Sequence, residues 1–139
     1  MRIFRLCKSP HIPQYPLEEE ETRRIEEFFR SLLEEELYTD ILMLDEVIYI
    51  SGRKYAVPYE ETINFIDEVV LPSIKILDLG LPEYLRAVRH FRRYQLRPSD
   101  AIHLAAMDLA GISVIASEDR DFDRTHVRRI WIAENVQRS

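Results

Sequence analysis

Apolar residues recur along this chain at two periods, and the alternation between them predicts its architecture. Met1 to Leu6 reads as a first short strand. Cys7 to Pro16 reads as a loop, because Pro10, Pro13 and Pro16 forbid regular structure. Leu17 to Leu37 follows the helical period, with Ile25, Phe28, Phe29, Leu32 and Leu33 on one face and glutamates around the rest. Glu36 to Thr39 suits a short strand. Asp40 then caps a helix from Ile41 to Ser51, closed by Gly52. Val57-Pro58 opens another helix, which runs to about Val70 and ends at Leu71-Pro72. Ile74 to Leu79 alternates as a strand does. Pro82 opens a helix from Glu83 to Tyr94. Tyr84, Leu85, Val88 and Phe91 form its expected inner face, with Arg86, Arg89, Arg92 and Arg93 outside.

The most informative stretch runs from Arg97 to Asp123. Pro98 and Ser99 are helix start signals and Gly111 is a stop signal. Between them Ala101, Ile102, Leu104, Ala105, Ala106, Met107, Leu109 and Ala110 leave little polar surface, so this helix is expected to be buried. Ile112 to Ala116 follows as a β-branched run typical of a parallel sheet. Arg128 to Ile132 reads as the last strand. Helices alternating with short strands predict an α/β fold, a parallel sheet between layers of helix. Neither repeats nor a linker divide the chain, so residues 1–139 are read as one domain.

Composition narrows the class. No apolar run approaches a membrane span, and Arg2, Arg5 and Lys8 interrupt any signal-peptide core, so a cytoplasmic protein is expected. A single cysteine, Cys7, excludes an intrachain disulfide and a multi-cysteine metal cage. Three glycines in all leave no Gly-rich phosphate loop. Charge is uneven: residues 1–70 carry 8 basic against 16 acidic side chains, and residues 71–139 carry 11 against 9. A net charge of −6 argues against avid non-specific binding of nucleic acid, while a local basic face remains open in the second half.

The candidate chemistry is acidic. Asp100 falls in the first turn of the buried helix, and Asp119 just beyond the strand that follows. In a parallel sheet those two places lie at the same end, where ligands bind. Asp45 and Glu46 are adjacent in an otherwise apolar helix and point about 100° apart. Either both sit on a helix edge in solvent, or Glu46 looks into a cation site. With Asp121 and the hydroxyl of Ser117, these carboxylates suit a hard cation, Mg2+ or Mn2+, and the hydrolysis of phosphodiesters. His103 lies one turn after Asp100, as a packing residue or a site contact. His11, His90 and His126 are scattered and make no metal-spaced pair. Asp123 and Glu118 read as turn and cap residues. The arginines from Arg86 to Arg97 either touch phosphates or form a solvated face paired with acids.

The run Leu96-Arg97-Pro98-Ser99-Asp100-Ala101-Ile102-His103-Leu104-Ala105, followed by Ile115-Ala116-Ser117-Glu118-Asp119-Arg120-Asp121-Phe122, resembles the C-terminal signature of PIN domains. Leu44-Asp45-Glu46-Val47-Ile48-Tyr49 resembles that family's middle motif. The resemblance covers about residues 36–132. It implies a three-layer α/β/α fold and a Mg2+- or Mn2+-dependent ribonuclease acting on single-stranded RNA, similar to VapC-type toxins. Such toxins pair with an antitoxin and often form homodimers. By motif, Glu46, Asp100 and Asp119 would be catalytic and hold the metal with Asp121. Ser117 would support them, and Arg93 and Arg97 would meet RNA. One departure stands out: Leu6 occupies the place of the family's first-strand aspartate. That leaves two expectations, a ribonuclease impaired by the loss or a non-catalytic module that binds RNA or a protein.

Overall fold

A computed structural model describes residues 2–4 and 19–132 of the chain. Leu6, the proline-rich loop, the expected helix start at Leu17 and the tail beyond Ile132 lie outside the described residues. Five strands form one sheet: β1 (Arg2–Phe4), β2 (Leu37–Asp40), β3 (Lys75–Leu77), β4 (Val114–Ala116) and β5 (Arg128–Ile130), in the order β3-β2-β1-β4-β5. Every pairing is parallel. In β1, Arg2 pairs with Leu37 on one side and with Val114 on the other. The helices are α1 (Glu19–Leu33), α2 (Ile41–Tyr55), α3 (Tyr59–Phe65), the short turn α4 (Leu71–Ser73), α5 (Leu81–Tyr94) and α6 (Pro98–Leu109).

Alternation along the strands builds the layers. Successive strand residues face opposite sides of a sheet. Ile115 joins a core with Leu104, Met107 and Phe122, all at 0% exposure, whereas its neighbour Ala116 joins Phe28, Leu32, Leu37 and Ile130. The first core lies under α5 and α6 and the second under α1, so helices cover both faces. The expected α/β/α sandwich is therefore the observed fold. On the α1 side the rings of Phe28 and Trp131 meet edge to face at 5.6 Å.

Some local expectations fail for physical reasons. Gly52 does not end α2; the helix runs on to Tyr55 and stops at Ala56 in the left-handed region, φ 55°. A methyl group at Gly52 would lie 2.4 Å from Cε1 of Tyr59, so the glycine's role is to admit that ring. Leu71-Pro72 does not end the following helix either. The expected helix is split into α3 and a π-helical stretch, Ile66–Val70, which buries Ile66 and Val70, and α4 carries the chain past Pro72 to Ser73. The inner face of α5 is rotated from its apolar stripe. Tyr84, Leu85 and Phe91 are about half exposed, and Ala87 and His90 are buried. Small Ala87 permits close approach to α6, and Asp108 on α6 bonds Arg86 and His90 on that side. Leu33, expected inside, is exposed, while Phe28 and Leu32 carry the contact of α1.

Candidate metal centre

The loop after β4 is shaped by its own polar groups. Ser117, nearly buried, accepts a hydrogen bond at Oγ from the backbone N–H of Asp119, 3.1 Å away. Asp119 Oδ1 in turn accepts from the N–H of Asp121 at 2.9 Å, which starts the short 3-10 helix Arg120–Arg124. Such aspartate-to-backbone bonds reverse the chain without help from glycine. Phe122, at 0% exposure, anchors the turn in the core. Asp119 and Asp121 are thereby presented at the C-terminal edge of the sheet.

Asp100 meets them there from α6. It sits in the first turn of that helix, at 0% exposure, where unpaired N–H groups and the helix dipole favour negative charge. Ligand oxygens of Asp100, Asp119 and Asp121 all lie within 4.8 Å of one another. Three carboxylates this close repel unless protons, donors or a cation offset them, and an all-oxygen set suits a hard divalent ion. The donor chemistry thus fits Mg2+ or Mn2+. Asp121 also meets Arg124 Nη1 at 2.9 Å.

Glu46 stands outside this 4.8 Å trio and approaches through a histidine. Its side chain is 14% exposed, with Oε1 4.0 Å from His103 Nε2, while adjacent Asp45 faces solvent. Glu46 thus turns inward beside His103, so the two acids do not share one solvent-exposed edge. His103 Nδ1 donates to Asp40 Oδ2 at 2.5 Å, and Asp40 Oδ1 accepts the Met43 N–H at 3.0 Å. Asp40 thus caps α2 and orients His103 together. A carboxylate only accepts, so Nδ1 carries a proton and the ring's other nitrogen, Nε2, is the one that faces Glu46. The capping role of Asp40 was legible in sequence, but its bond to a residue 63 positions away was not.

Asp123 leaves the site, as a turn residue would. It makes a two-pronged pair with buried Arg129, at 2.9 and 3.1 Å, and Arg129 Nη1 donates to the carbonyl of Ser117. Arg93 and Arg97 are exposed around the α5–α6 junction. Arg93 lies over the Tyr94 ring at 5.2 Å, and the Arg97 carbonyl accepts from Ala101 N–H at the start of α6. Arg86 belongs to a different group, with Asp108.

The expectation that His90 and His126 stay apart is overturned. Both converge on Asp108, with Nε2 to carboxylate distances of 2.5 and 2.6 Å. Burial pushes the Asp108 carboxyl up. Hydrogen bonds from His126, Arg86 and His90 outweigh that and hold it below the usual carboxylate range. No short-range spacing announces this cluster, because its members come from α5, the end of α6 and the loop before β5.

Comparison with known proteins adds a family and a fold. The PIN domain family profile matches residues 14–127. A search of curated protein sequences found no significant match. Among solved structures, DNA-bound VapBC from Salmonella typhimurium aligns at 14% identity and TM-score 0.63, covering 94% of this chain and 97% of that one. FitAB bound to an IR36 DNA fragment aligns at 14% identity and TM-score 0.66, covering 95% of each chain. FitAcB from Neisseria gonorrhoeae aligns at 17% identity and TM-score 0.61, covering 94% and 96%. At these identities the likeness is one of fold.

Proposed function

The chain belongs to the PIN-domain family, and on that premise we propose that it is a divalent-metal-dependent endoribonuclease of single-stranded RNA, the toxin of a toxin–antitoxin pair. The observation that carries this reading is the convergence of Asp100, Asp119 and Asp121 at one edge of a parallel sheet. Asp100 and Asp119 hold Mg2+ or Mn2+, Asp121 completes the oxygen set, and Glu46 serves from α2. Bound there, such an ion would acidify a water and offset charge on phosphate oxygens. Ser117 keeps the loop in register through its bond to Asp119. Arg93 and Arg97 contact the RNA backbone, which fixes its position without reading its sequence. The antitoxin is a protein partner and the toxin a homodimer; support for the partner comes from the toxin–antitoxin complexes of similar fold.

A second reading rests on Leu6, which stands where the family places an aspartate. With one carboxylate fewer, the metal binds more weakly, and the protein acts as a non-catalytic module for RNA or a protein. Cleavage of single-stranded RNA in Mn2+, compared between the wild type and Asp100→Asn, separates the readings. The nuclease requires cleavage by the wild type and a loss of at least about a hundredfold in the variant. Equal cleavage by both rejects the site. No cleavage by the wild type, with RNA or a protein still bound, establishes the non-catalytic module.

A further inference from the structure

The far end of α6 carries a second constellation with different chemistry. Asp108 lies eight residues after Asp100, about 12 Å along the helix axis. Around its carboxylate stand His90 from α5 and His126 from the loop before β5, and one ligand atom from each of the three lies within 4.8 Å of the others. Among the described residues this is the one such group containing imidazole; the acidic trio contains none. Two imidazoles and a carboxylate suit a borderline transition ion, Zn2+ above all, rather than the hard ions that prefer oxygen.

We propose that His90, Asp108 and His126 form a zinc-class metal site that joins α5, α6 and the approach to β5, independent of the acidic trio. Tetrahedral ligands on bonds of ~2.0–2.1 Å lie ~3.4 Å apart. The His90 and His126 nitrogens now sit 2.5 and 2.6 Å from the two Asp108 oxygens. Admitting an ion between His126 Nε2 and Asp108 Oδ1 opens that contact by about 0.8 Å, while His90 gives up its bond to Oδ2 and turns its nitrogen to the ion. Coordination needs the Nε2 lone pairs, so each ring moves its proton to Nδ1.

The surroundings accommodate that change. The Tyr94 hydroxyl lies 2.9 Å from His126 Nδ1 and serves a protonated Nδ1 as acceptor. Arg86 Nε donates to Asp108 Oδ2 at 2.9 Å, holding that oxygen while Oδ1 turns to the metal. Ligating histidines and carboxylates are normally held from behind in this way. The rings of His90, Tyr94 and His126 also pack together, with centroids 5.3 to 5.9 Å apart, which limits their rotation. His126 is exposed and His90 nearly buried, so an ion has both a way in and a fixed wall. Three protein ligands leave the fourth position to water.

The test uses the full chain, stripped of metal with a chelator and titrated with Zn2+ by calorimetry. Co2+ absorption in the visible reports ligand geometry in parallel. With Mg2+ in excess to fill the acidic trio, wild type and Asp100→Asn each bind one equivalent of Zn2+ with matching affinity. His126→Gln, at an exposed position that threatens folding little, weakens binding by more than about a hundredfold. Tyr94→Phe, which keeps all three ligands, weakens it by about tenfold. Undiminished Zn2+ binding in His126→Gln overturns the site. So does loss of binding in Asp100→Asn, because the ion would then belong to the acidic trio. Absence of Zn2+ binding by the wild type overturns it too, leaving the cluster a network of hydrogen bonds. None of these outcomes depends on RNA cleavage.

Discussion

His103 and Asp40 are hydrogen-bonded to each other at 2.5 Å, His103 Nδ1 to Asp40 Oδ2, with neither side chain more than 3% exposed. This bond ties the start of α2 to the middle of α6 and turns the free edge of the ring toward Glu46. Asp40→Ala removes the cap of α2 and strands a buried imidazole N–H, for an expected loss of about 3 kcal/mol. Urea unfolding measures it. Asp40→Asn keeps a capping oxygen and costs less, but its amide N–H opposes the ring's N–H and drives the proton to Nε2. In that variant 15N spectra of the imidazole show the other tautomer.

Asp121 and Asp123 differ by two positions and answer differently to alanine. Asp123→Ala leaves Arg129 buried without its two-pronged partner, which costs about 3 kcal/mol of stability. Asp121→Ala forfeits one exposed pair with Arg124, so stability changes by under about 1 kcal/mol while Mn2+ affinity falls. Denaturation and metal titration of the two variants give opposite rankings.

Ala56 closes α2 with φ 55°, a conformation that costs an L side chain about 1 kcal/mol and costs glycine almost nothing. Ala56→Gly is expected to raise the unfolding midpoint, less any gain in unfolded-state entropy. Gln95, with φ 53° at the end of α5, offers a second trial of the same effect. A fall in midpoint for both contradicts the capping account.

Asp108 gives the stability curve an acid limb. Its folded carboxyl titrates below the usual range, so the unfolded chain takes up its proton first as pH falls. The stabilisation is therefore complete above the ordinary carboxylate range and disappears as pH drops through the lowered folded value. Asp108→Asn is expected to unfold more easily by about 2 kcal/mol near pH 7 and by less near pH 3, below the ordinary carboxylate range. Paired urea curves at the two pH values, in chelator, check the sign.

The legible parts of this fold were those whose signal is local. Pro98, the apolar run and Gly111 bracket α6, and the β-branched run after it marks β4. Asp100 and Asp119 were locatable because a parallel sheet brings a helix start and a strand end together. The lining of α5 was not legible. Its apolar stripe through Tyr84, Leu85 and Phe91 points outward, since a small alanine and a polar cluster decide which side approaches α6. His126 likewise carries no meaning until the chain folds it against Asp108. Glu46 fell between these cases: its neighbours indicated a buried helix, but only His103 shows which way it turns.

The sheet order has a bearing on how the molecule is assembled. β1, three residues near the beginning of the chain, lies in the middle, flanked by β2 on one side and β4 on the other. A growing chain therefore makes the keystone before the arch: β2 and β3 extend one wing, and β4 and β5 the other. Removal of residues 2–4 would leave two separate two-stranded ribbons, one carrying Asp40 and the other leading to Asp119, with no backbone ladder to hold them in one plane.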